Sequence, residues 1–160
     1  MARLKIYFIS DSYIEYLRKY DTKVAYNKVP NRPYVGIVFT YNNYNYFAPL
    51  SSPKAKHLNM RENMVDIFKI DNGKLGIVNL NNMIPCQLNV LTEAIKIVED
   101  KKYKALLENQ LTYLNANKEK LYRKTANFQK KYRKGYLQSN VLERCCNFPL
   151  LEEKCLNYIK

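Results

Sequence analysis

The stretch YVGIVFTYNNYNYFAPL, residues 34–50, decides the fold. Two runs rich in β-branched and aromatic residues, Tyr34 to Tyr41 and Tyr44 to Leu50, flank the pair Asn42-Asn43. Asparagine tolerates the positive φ angles that a two-residue hairpin turn requires. The stretch therefore predicts a β-hairpin, and shorter elements are predicted on both sides of it.

The chain before the hairpin predicts one strand, one helix and one loop. Lys5 to Ile9 is a short β-rich run. Ser10 or Asp11 can cap a helix that follows it, because the next apolar residues share one helical face. These residues are Tyr13, Ile14 and Leu17. Asp21 to Arg32 has no apolar period and is predicted to be a loop.

The chain after the hairpin continues with a polar loop, a second hairpin and a last short strand. The loop is Ser51 to Met60. Asp66 to Ile70 and Lys74 to Leu80 flank the turn signal DNG at residues 71–73, which predicts the second hairpin. Leu88 to Leu91 is the predicted last strand.

The second half of the chain is helical and strongly basic. From about Tyr103 to Tyr132 the apolar residues recur in steps of three and four, with one gap of seven, which predicts one long helix ended by Gly135. Residues 101–136 carry eleven Lys or Arg against two acids. A short last helix is predicted from Pro149, a residue type favoured in the first turn, to Ile159.

This order of elements predicts an α+β fold with a small, strongly bent antiparallel sheet, an N-terminal helix, a long basic helix and a short C-terminal helix. Strands this short usually close into an SH3-like barrel or half-barrel. The chain has 160 residues, 47% of them hydrophobic, which is enough for one compact domain with a core. We therefore expect residues 1–160 to form a single domain.

The charge balance indicates a polyanionic partner. Lys and Arg number 27 and Asp and Glu 14, and such an excess repels itself without stabilising a fold. A nucleic acid is favoured over an anionic membrane surface, because no stretch approaches the roughly 20 apolar residues needed to span a bilayer. The apolar run Ile6 to Ile9 is too short for a signal peptide, so we expect a cytoplasmic protein.

The cysteine and histidine content argues against a metal site. The four cysteines lack zinc-ligand spacing and are expected to be buried, reduced thiols. They are Cys86, Cys145, Cys146 and Cys155. His57 is the only histidine, which excludes a nuclease that uses two histidines as general acid and base. No metal and no other cofactor is expected.

The segment LSSPKAKH, residues 50–57, is the richest in chemical groups. It places the hydroxyls of Ser51 and Ser52 close to Lys54 and Lys56, and Pro53 stiffens the backbone between them. RNA cleavage by internal attack needs a deprotonated 2′-OH, stabilisation of the phosphorane charge and a protonated 5′-oxygen. The nucleophile belongs to the substrate, so hydroxyls and a lysine can suffice. The alternative is a solvated loop that only contacts phosphates.

Further candidates for RNA binding lie before the first hairpin and on the long helix. Arg32 is one, because a guanidinium grips a phosphate with two hydrogen bonds, and Lys28 lies in the same loop. Tyr113 lies among polar and basic helical neighbours, which makes it a candidate base-stacking platform on a phosphate track. Its helical neighbours three, four and seven residues away are Gln110, Asn117 and Lys120, and Lys124 lies one turn further along the same helix. For each of them the alternative is an ordinary surface or half-buried residue.

Five blocks of sequence lie in order along nearly the whole chain: KIYFISDSYIEYLRKYD with NKVPNRPYVGIV, YFAPLSSPKAKH, LGIVNLNNMIP, QLTYLNAN and CCNFPLLEEKC. Together they resemble the ToxN/AbiQ family of type III toxins. The resemblance implies an SH3-like barrel with added helices, related to the Kid, MazF and CcdB toxins. It also implies metal-independent, sequence-selective endoribonuclease activity that leaves a 2′,3′-cyclic phosphate and a 5′-hydroxyl.

The same resemblance implies a partner and a biological role. The partner is a small repeated RNA, which the toxin cuts into pseudoknot units and then holds in a closed assembly of alternating RNA and protein. This RNA is the antitoxin, and cellular or phage messenger RNA is the substrate. Many members of the family act against phage.

The functional residues of the family fall on named positions of this chain. The hydroxyl pair and the lysine fall on Ser51, Ser52 and Lys54, and the basic residue before the first hairpin strand falls on Arg32. The resemblance implies that these four are catalytic. The residues expected to contact RNA are Tyr26, Lys28, Lys56, His57, Tyr113, Asn117, Lys120 and Lys124.

Two other functions would also explain the charge. One is a non-catalytic nucleic-acid-binding protein, such as a ribosome-associated factor or a topoisomerase poison, although a mere binder does not need paired hydroxyls beside a lysine. The other is a MazF-like toxin with a protein antitoxin. A short tandem repeat upstream of the coding sequence would support the RNA antitoxin, and an open reading frame there would support the protein one.

Overall fold

The computed structural model describes residues 3–27, 31–61 and 63–159. Within them the chain forms seven strands and seven α-helices, joined by loops and three short 3₁₀ turns. The strands are β1 (Lys5–Ile9), β2 (Tyr34–Tyr41), β3 (Tyr44–Ser51), β4 (Ile67–Lys69), β5 (Ile77–Asn79), β6 (Ile84–Pro85) and β7 (Leu91–Glu93). The helices are α1 (Asp11–Arg18), α2 (Ala55–Asn59), α3 (Ala94–Ile97), α4 (Lys101–Ala116), α5 (Lys118–Lys134), α6 (Ser139–Leu142) and α7 (Phe148–Asn157).

The strands form one bent antiparallel sheet in the order β4-β5-β3-β2-β1-β7, with β6 also paired to β3. One edge of β3 pairs with β2, and the other pairs first with β6, at Tyr46 and Phe47, and then with β5, at Leu50 and Ser51. Pro49, which has no N–H to donate, lies between the part of β3 that pairs with β6 and the part that pairs with β5. In the described part of the chain β4 and β7 pair with one strand each, so the sheet is open.

The mixed class and the bent antiparallel sheet are therefore as predicted, while the sheet is not closed into a barrel. The decisive hairpin also forms as predicted. Asn42 and Asn43 have φ angles of 48° and 67°, as a two-residue turn requires. Ser10 caps α1 by accepting a hydrogen bond at 3.3 Å from the backbone N–H of Tyr13.

Three predicted elements differ from the structure. The long helix is two helices, α4 and α5, because Asn117 leaves the helical conformation at φ −119° and its Nδ2 donates to the carbonyl of Tyr113 at 2.9 Å. The predicted polar loop 51–60 contains α2. The predicted strand Leu88 to Leu91 is a 3₁₀ turn, Leu88–Val90, and the strand β7 begins only at its last residue.

The helices close one side of the sheet with an aromatic cluster. Phe148, the first residue of α7, meets the rings of Tyr46, Phe128 and Tyr132 at centroid distances of 5.9, 6.1 and 4.6 Å. Each such edge-to-face pair contributes about 0.5–1.5 kcal/mol beyond the burial of its area. The core therefore ties α5 and α7 to β3, the strand whose end carries the hydroxyl pair.

The four cysteines are free and buried, as predicted. Over the residues that the structure describes, we find no helix with the length and apolar character needed to cross a membrane.

Candidate active site

The end of β3 positions the hydroxyl pair. Ser51 is the last residue of β3, pairs with Ile77 of β5 and is half-buried, whereas Ser52 is exposed. The Oγ of Ser51 accepts a hydrogen bond at 2.9 Å from Nδ2 of Asn79. Because the amide supplies the proton of that bond, the Ser51 hydroxyl keeps its own proton for an oxygen of a ligand.

Gly76 allows β5 to approach this end of β3. Its φ angle is 106°, which residues with a side chain rarely adopt. A Cβ at this position would lie 2.0 Å from the carbonyl oxygen of Ser51. No other residue type fits here without moving the backbone. The turn before β5 is therefore part of what places Ser51.

Lys54 is the N-terminal capping residue of the short helix α2, and two hydrogen bonds join it to His57. The backbone N–H of Lys54 donates to Nδ1 of His57 at 3.1 Å, and the backbone N–H of His57 donates to the carbonyl of Lys54 at 2.9 Å. The side chain of Lys54 is exposed, as is that of Lys56. The two bonds form a closed turn that holds the backbone from which the Lys54 side chain extends.

His57, one of the residues predicted to contact RNA, is buried in the structure. The residue is only 1% exposed, so its ring faces the protein. Burial, and then the positive charges of Lys56 and Lys54, lower the pKa of His57 below its ordinary value of 6.5. The ring is therefore neutral at neutral pH, as an imidazole that accepts at Nδ1 must be.

A cleft of about 250 Å³ opens between the end of β3 and the first half of α4. It brings together three of the predicted residues, Tyr26, Arg32 and Ser52. Tyr26 is 59% exposed at its rim. From α4 the cleft receives Tyr103, Leu106, Leu107 and Gln110.

Two buried polar atoms in this cleft have no hydrogen-bond partner among the described residues. They are Nε of Arg32 and Oε1 of Gln110. The other ends of both side chains are held: Nη1 of Arg32 donates to the carbonyl of Leu50 at 3.3 Å, and Nε2 of Gln110 donates to that of Leu75 at 2.8 Å. Unpaired buried groups are rare and costly in native proteins, so this cleft is suited to a polar ligand.

The positive charge of Arg32 also affects Tyr103, which lines the opposite side of the cleft. Burial raises the pKa of Tyr103, and the nearby positive charge of Arg32 opposes that rise. Tyr103 is therefore a neutral hydrogen-bonding phenol at neutral pH. The cleft carries net positive charge from the guanidinium, which favours an anion such as a phosphate.

The helical candidates lie outside this cleft. Tyr113 is half-buried against the core, Asn117 forms the break between α4 and α5, and Lys120 is exposed on α5. Lys124 is half-buried on the same helix. None of these four lines the cleft, and Lys28 lies outside the described residues.

Two residues of the site were not predicted. Gln110 lies on the apolar stripe of α4, seven residues after Tyr103 and three after Leu107. A polar residue on an apolar stripe was the available signal, since it must find a partner when it is buried. Asn79 gave no such signal, because its contact with Ser51 joins residues that are far apart in the sequence.

The described residues offer no group of three or more His, Cys, Asp or Glu in an arrangement that could hold a metal ion.

Comparison with known proteins shows relatives that match nearly the whole chain. The family model for toxin ToxN of type III toxin–antitoxin systems matches residues 5–156. Endoribonuclease ToxN of Pectobacterium atrosepticum is 35% identical over 167 residues, covering 98% of this chain and 95% of the relative. Endoribonuclease ToxN of Bacillus thuringiensis subsp. kurstaki is 36% identical over 166 residues, covering 96% and 84%. Endoribonuclease AbiQ of Lactococcus lactis subsp. lactis is 34% identical over 169 residues, covering 98% and 90%.

Solved structures agree over the same length. One, from a bacterial antiviral system regulated by a processed non-coding RNA, has a TM-score of 0.84 and 33% identity, covering 98% of this chain and 99% of the other. A second, AbiQ, a lactococcal anti-phage endoribonuclease, has a TM-score of 0.84 and 30% identity, with 98% of each chain covered. The fold and these relatives thus define a protein of the endoribonuclease toxin class. Within that class, the chain belongs to the ToxN family of type III toxin–antitoxin toxins.

Proposed function

We propose that the protein is an endoribonuclease, the toxin of a type III system whose antitoxin is an RNA. The observation that carries this proposal is the juxtaposition of Arg32 and Ser52 in one cleft, at the strand end that also bears Ser51 and leads into Lys54. Family membership supports it, since the curated relatives are endoribonucleases. The same names disfavour a non-catalytic nucleic-acid-binding protein and a MazF-like toxin with a protein antitoxin.

The proposed reaction is a transesterification within the RNA. The 2′-oxygen attacks the adjacent phosphorus and gives up its proton to water, and a phosphorane forms. The bond from phosphorus to the 5′-oxygen then breaks. The products are a 2′,3′-cyclic phosphate and a 5′-hydroxyl, and the nucleophile is supplied by the substrate.

Each residue of the site has a proposed role in that reaction. Ser51 and Ser52 donate hydrogen bonds to the oxygens of the scissile phosphate. Arg32 binds a flanking phosphate from its held position beside Leu50. Lys54 stabilises the charge of the phosphorane and supplies a proton to the departing 5′-oxygen. Positioning of the RNA for in-line attack contributes much of the rate, because none of the described side chains that line the cleft is an obvious general base.

The remaining candidates are proposed to bind RNA outside the reacting bonds. Tyr26, exposed at the rim of the cleft, is suited to stack on a base, and Lys56 and Lys28 to hold phosphates. Tyr113 and Asn117, near the junction of α4 and α5, are proposed as a second contact. Lys120 and Lys124 belong to the proposed phosphate track on α5.

The proposed partner is a small repeated RNA that folds into pseudoknots. A solved relative with a TM-score of 0.78 and 32% identity concerns selective toxin inhibition by a non-coding RNA pseudoknot. We extend this to a closed assembly of alternating toxin and RNA, and to defence against phage, since AbiQ is an anti-phage enzyme. A short tandem repeat upstream of the coding sequence is the expected source of the RNA.

The proposal also covers the barrel relationship, the number of domains and the cellular location. We regard the open, bent sheet as a variant of the SH3-like barrel of the Kid, MazF and CcdB toxins. We regard residues 1–160 as one domain, because the sheet and the helices share one hydrophobic core. A cytoplasmic location is proposed because the four free cysteines are typical of a reducing compartment.

The experiment that tests the chemistry is cleavage of RNA in EDTA, with analysis of the product ends. If the catalytic groups are hydroxyls, a lysine and an arginine, the cleavage rate should be the same in EDTA, and the products should end in cyclic phosphates. Loss of cleavage in EDTA that magnesium restores, or products with 5′-phosphates, would contradict the proposed mechanism.

A further inference from the structure

His57 has an unusual position for the only histidine of a basic chain. It lies three residues from the exposed Lys54, yet it is only 1% exposed. Its Nδ1 accepts from the backbone N–H of Lys54 at 3.1 Å. The imidazole thus acts through the backbone of Lys54, without reaching the cleft itself.

The surroundings of His57 fix this arrangement. Gly73, at φ 91°, packs so closely that a Cβ there would lie 2.5 Å from the carbonyl oxygen of His57. Nζ of Lys69, from β4, donates to the carbonyl of Leu58, the next residue of α2, at 3.4 Å. The turn 71–73 and β4 therefore hold α2 against the sheet.

We propose that His57 is a positioning residue for Lys54, which it serves as a neutral hydrogen-bond acceptor. The bond from the Lys54 N–H, with the return bond from the His57 N–H, closes the turn from which the lysine side chain extends. The inference rests on the proposed role of Lys54. It assigns His57 a function that requires the ring to be unprotonated.

This requirement makes the geometry of Lys54 sensitive to pH. The charged groups around His57 are mostly cations: Lys54 and Lys56 on its own segment and Lys69 on β4, with Asp71 and Lys74 on the turn that packs against α2. Burial and the first two cations lower the pKa of His57 below 6.5, so the folded turn resists protonation. Below about pH 6.5 the unfolded turn takes up a proton that the folded turn does not, so the turn loses stability as the pH falls.

The test compares His57→Asn with His57→Leu. The Oδ1 of asparagine can accept the Lys54 N–H as Nδ1 does, but it does not titrate, whereas leucine fills space without an acceptor. We expect His57→Leu to lower kcat about tenfold or more at pH 7.5 with little change in KM, and His57→Asn to recover most of it. As the pH falls through the lowered pKa of His57, the wild type should lose kcat more steeply than His57→Asn. Unfolding midpoints and binding of processed RNA show whether each variant is folded.

The outcomes separate this inference from the proposed function. If Lys54→Ala cuts RNA at the wild-type rate, the proposed site is wrong, whatever His57 does. If Lys54→Ala is inactive but the folded His57→Leu has wild-type kcat, the site stands and the positioning role is overturned. Should His57→Leu fail to fold, identical acid limbs for the wild type and His57→Asn would still overturn it.

Discussion

Lys54 is the single residue whose side chain the proposed chemistry uses most directly. It is exposed at the start of α2, two residues after Ser52 of the cleft, and its backbone is held by His57. A flexible exposed lysine that only attracted RNA would need no such fixation. A lysine that stabilises a phosphorane does need a fixed backbone, because the negative charge of the phosphorane develops at one position.

Lys54→Ala is therefore expected to lower the cleavage rate at saturating RNA by about a hundredfold or more, as loss of an oxyanion donor does elsewhere. Binding of already processed antitoxin RNA should weaken far less, because one phosphate contact among many is lost. Single-turnover cleavage and equilibrium binding measured on the same protein give both numbers. Lys74→Ala is the matched control, because it removes an equal exposed charge from the adjacent turn. Binding and cleavage that fall by similar factors would reduce Lys54 to a phosphate contact.

Site residues that lie close together in the sequence could be predicted, and those joined by long-range contacts could not. Ser51, Ser52 and Lys54 lie within four residues, so their shared chemistry is visible in the sequence, and the structure keeps them at one strand end. The burial of His57 was not predicted, because it depends on packing against the turn 71–73, which lies about fifteen residues further along the chain. Gln110 was likewise passed over, because its bond to Leu75 joins two distant elements.

At the scale of elements, the turn between β4 and β5 packs against the backbone that carries the site residues. Gly73 packs on the backbone of α2 and Gly76 packs on the carbonyl of Ser51. Both glycines have positive φ angles, 91° and 106°. The DNG signal predicted this turn, but nothing in the sequence indicates that it lies beneath the hydroxyl pair.

Gly76→Ala tests that support. The added Cβ would meet a backbone oxygen at 2.0 Å and hold an unfavourable φ, so we expect a loss of about 3 kcal/mol or more in the free energy of unfolding. Cleavage should fall further than the folded fraction explains, because β5 must move away from Ser51. Gly135→Ala is the control: φ there is 75° with nothing within 4 Å of the new Cβ, so only about 1 kcal/mol is expected. Denaturant unfolding measures both, and equal losses would show that the contact with Ser51 carries no cost.

The break between α4 and α5 shows what periodicity cannot detect. Leu114 and Leu121 are seven residues apart, which is two helical turns, so they keep the same face whether or not the helix is continuous. A one-residue interruption at Asn117 leaves that pattern intact. Asn117 is visible in the sequence, but asparagine also occurs inside helices, so its side-chain hydrogen bond to the Tyr113 carbonyl was not predicted.

At the scale of the whole molecule, a large share of the net charge of +13 lies on α5, which carries eight Lys or Arg and one acid. The buried face of this helix consists of Leu121, Thr125, Phe128 and Gln129. Its exposed cations repeat at a helical interval, which aligns them in one stripe. The stripe consists of Lys120, Arg123, Lys130 and Lys134, all exposed. A stripe of one sign costs stability through self-repulsion, so it favours a polyanionic partner that lies along the helix.

Salt dependence of RNA binding tests whether this stripe contacts the partner. Each phosphate that a cation neutralises adds about 0.7 to 0.9 to the slope of log affinity against log salt, because bound counterions are released. The double variant Lys120→Ala, Arg123→Ala should therefore lower that slope by about 1.4 to 1.8 for processed antitoxin RNA. Both residues are exposed, so folding stability should change by less than about 0.5 kcal/mol each. Glu119→Gln on the same helix raises the net charge without adding a cation, and the slope should stay at its wild-type value. A double variant with the wild-type slope would mean that the stripe faces solvent in the complex, and the phosphates would then have to be held by the cleft and α2 alone.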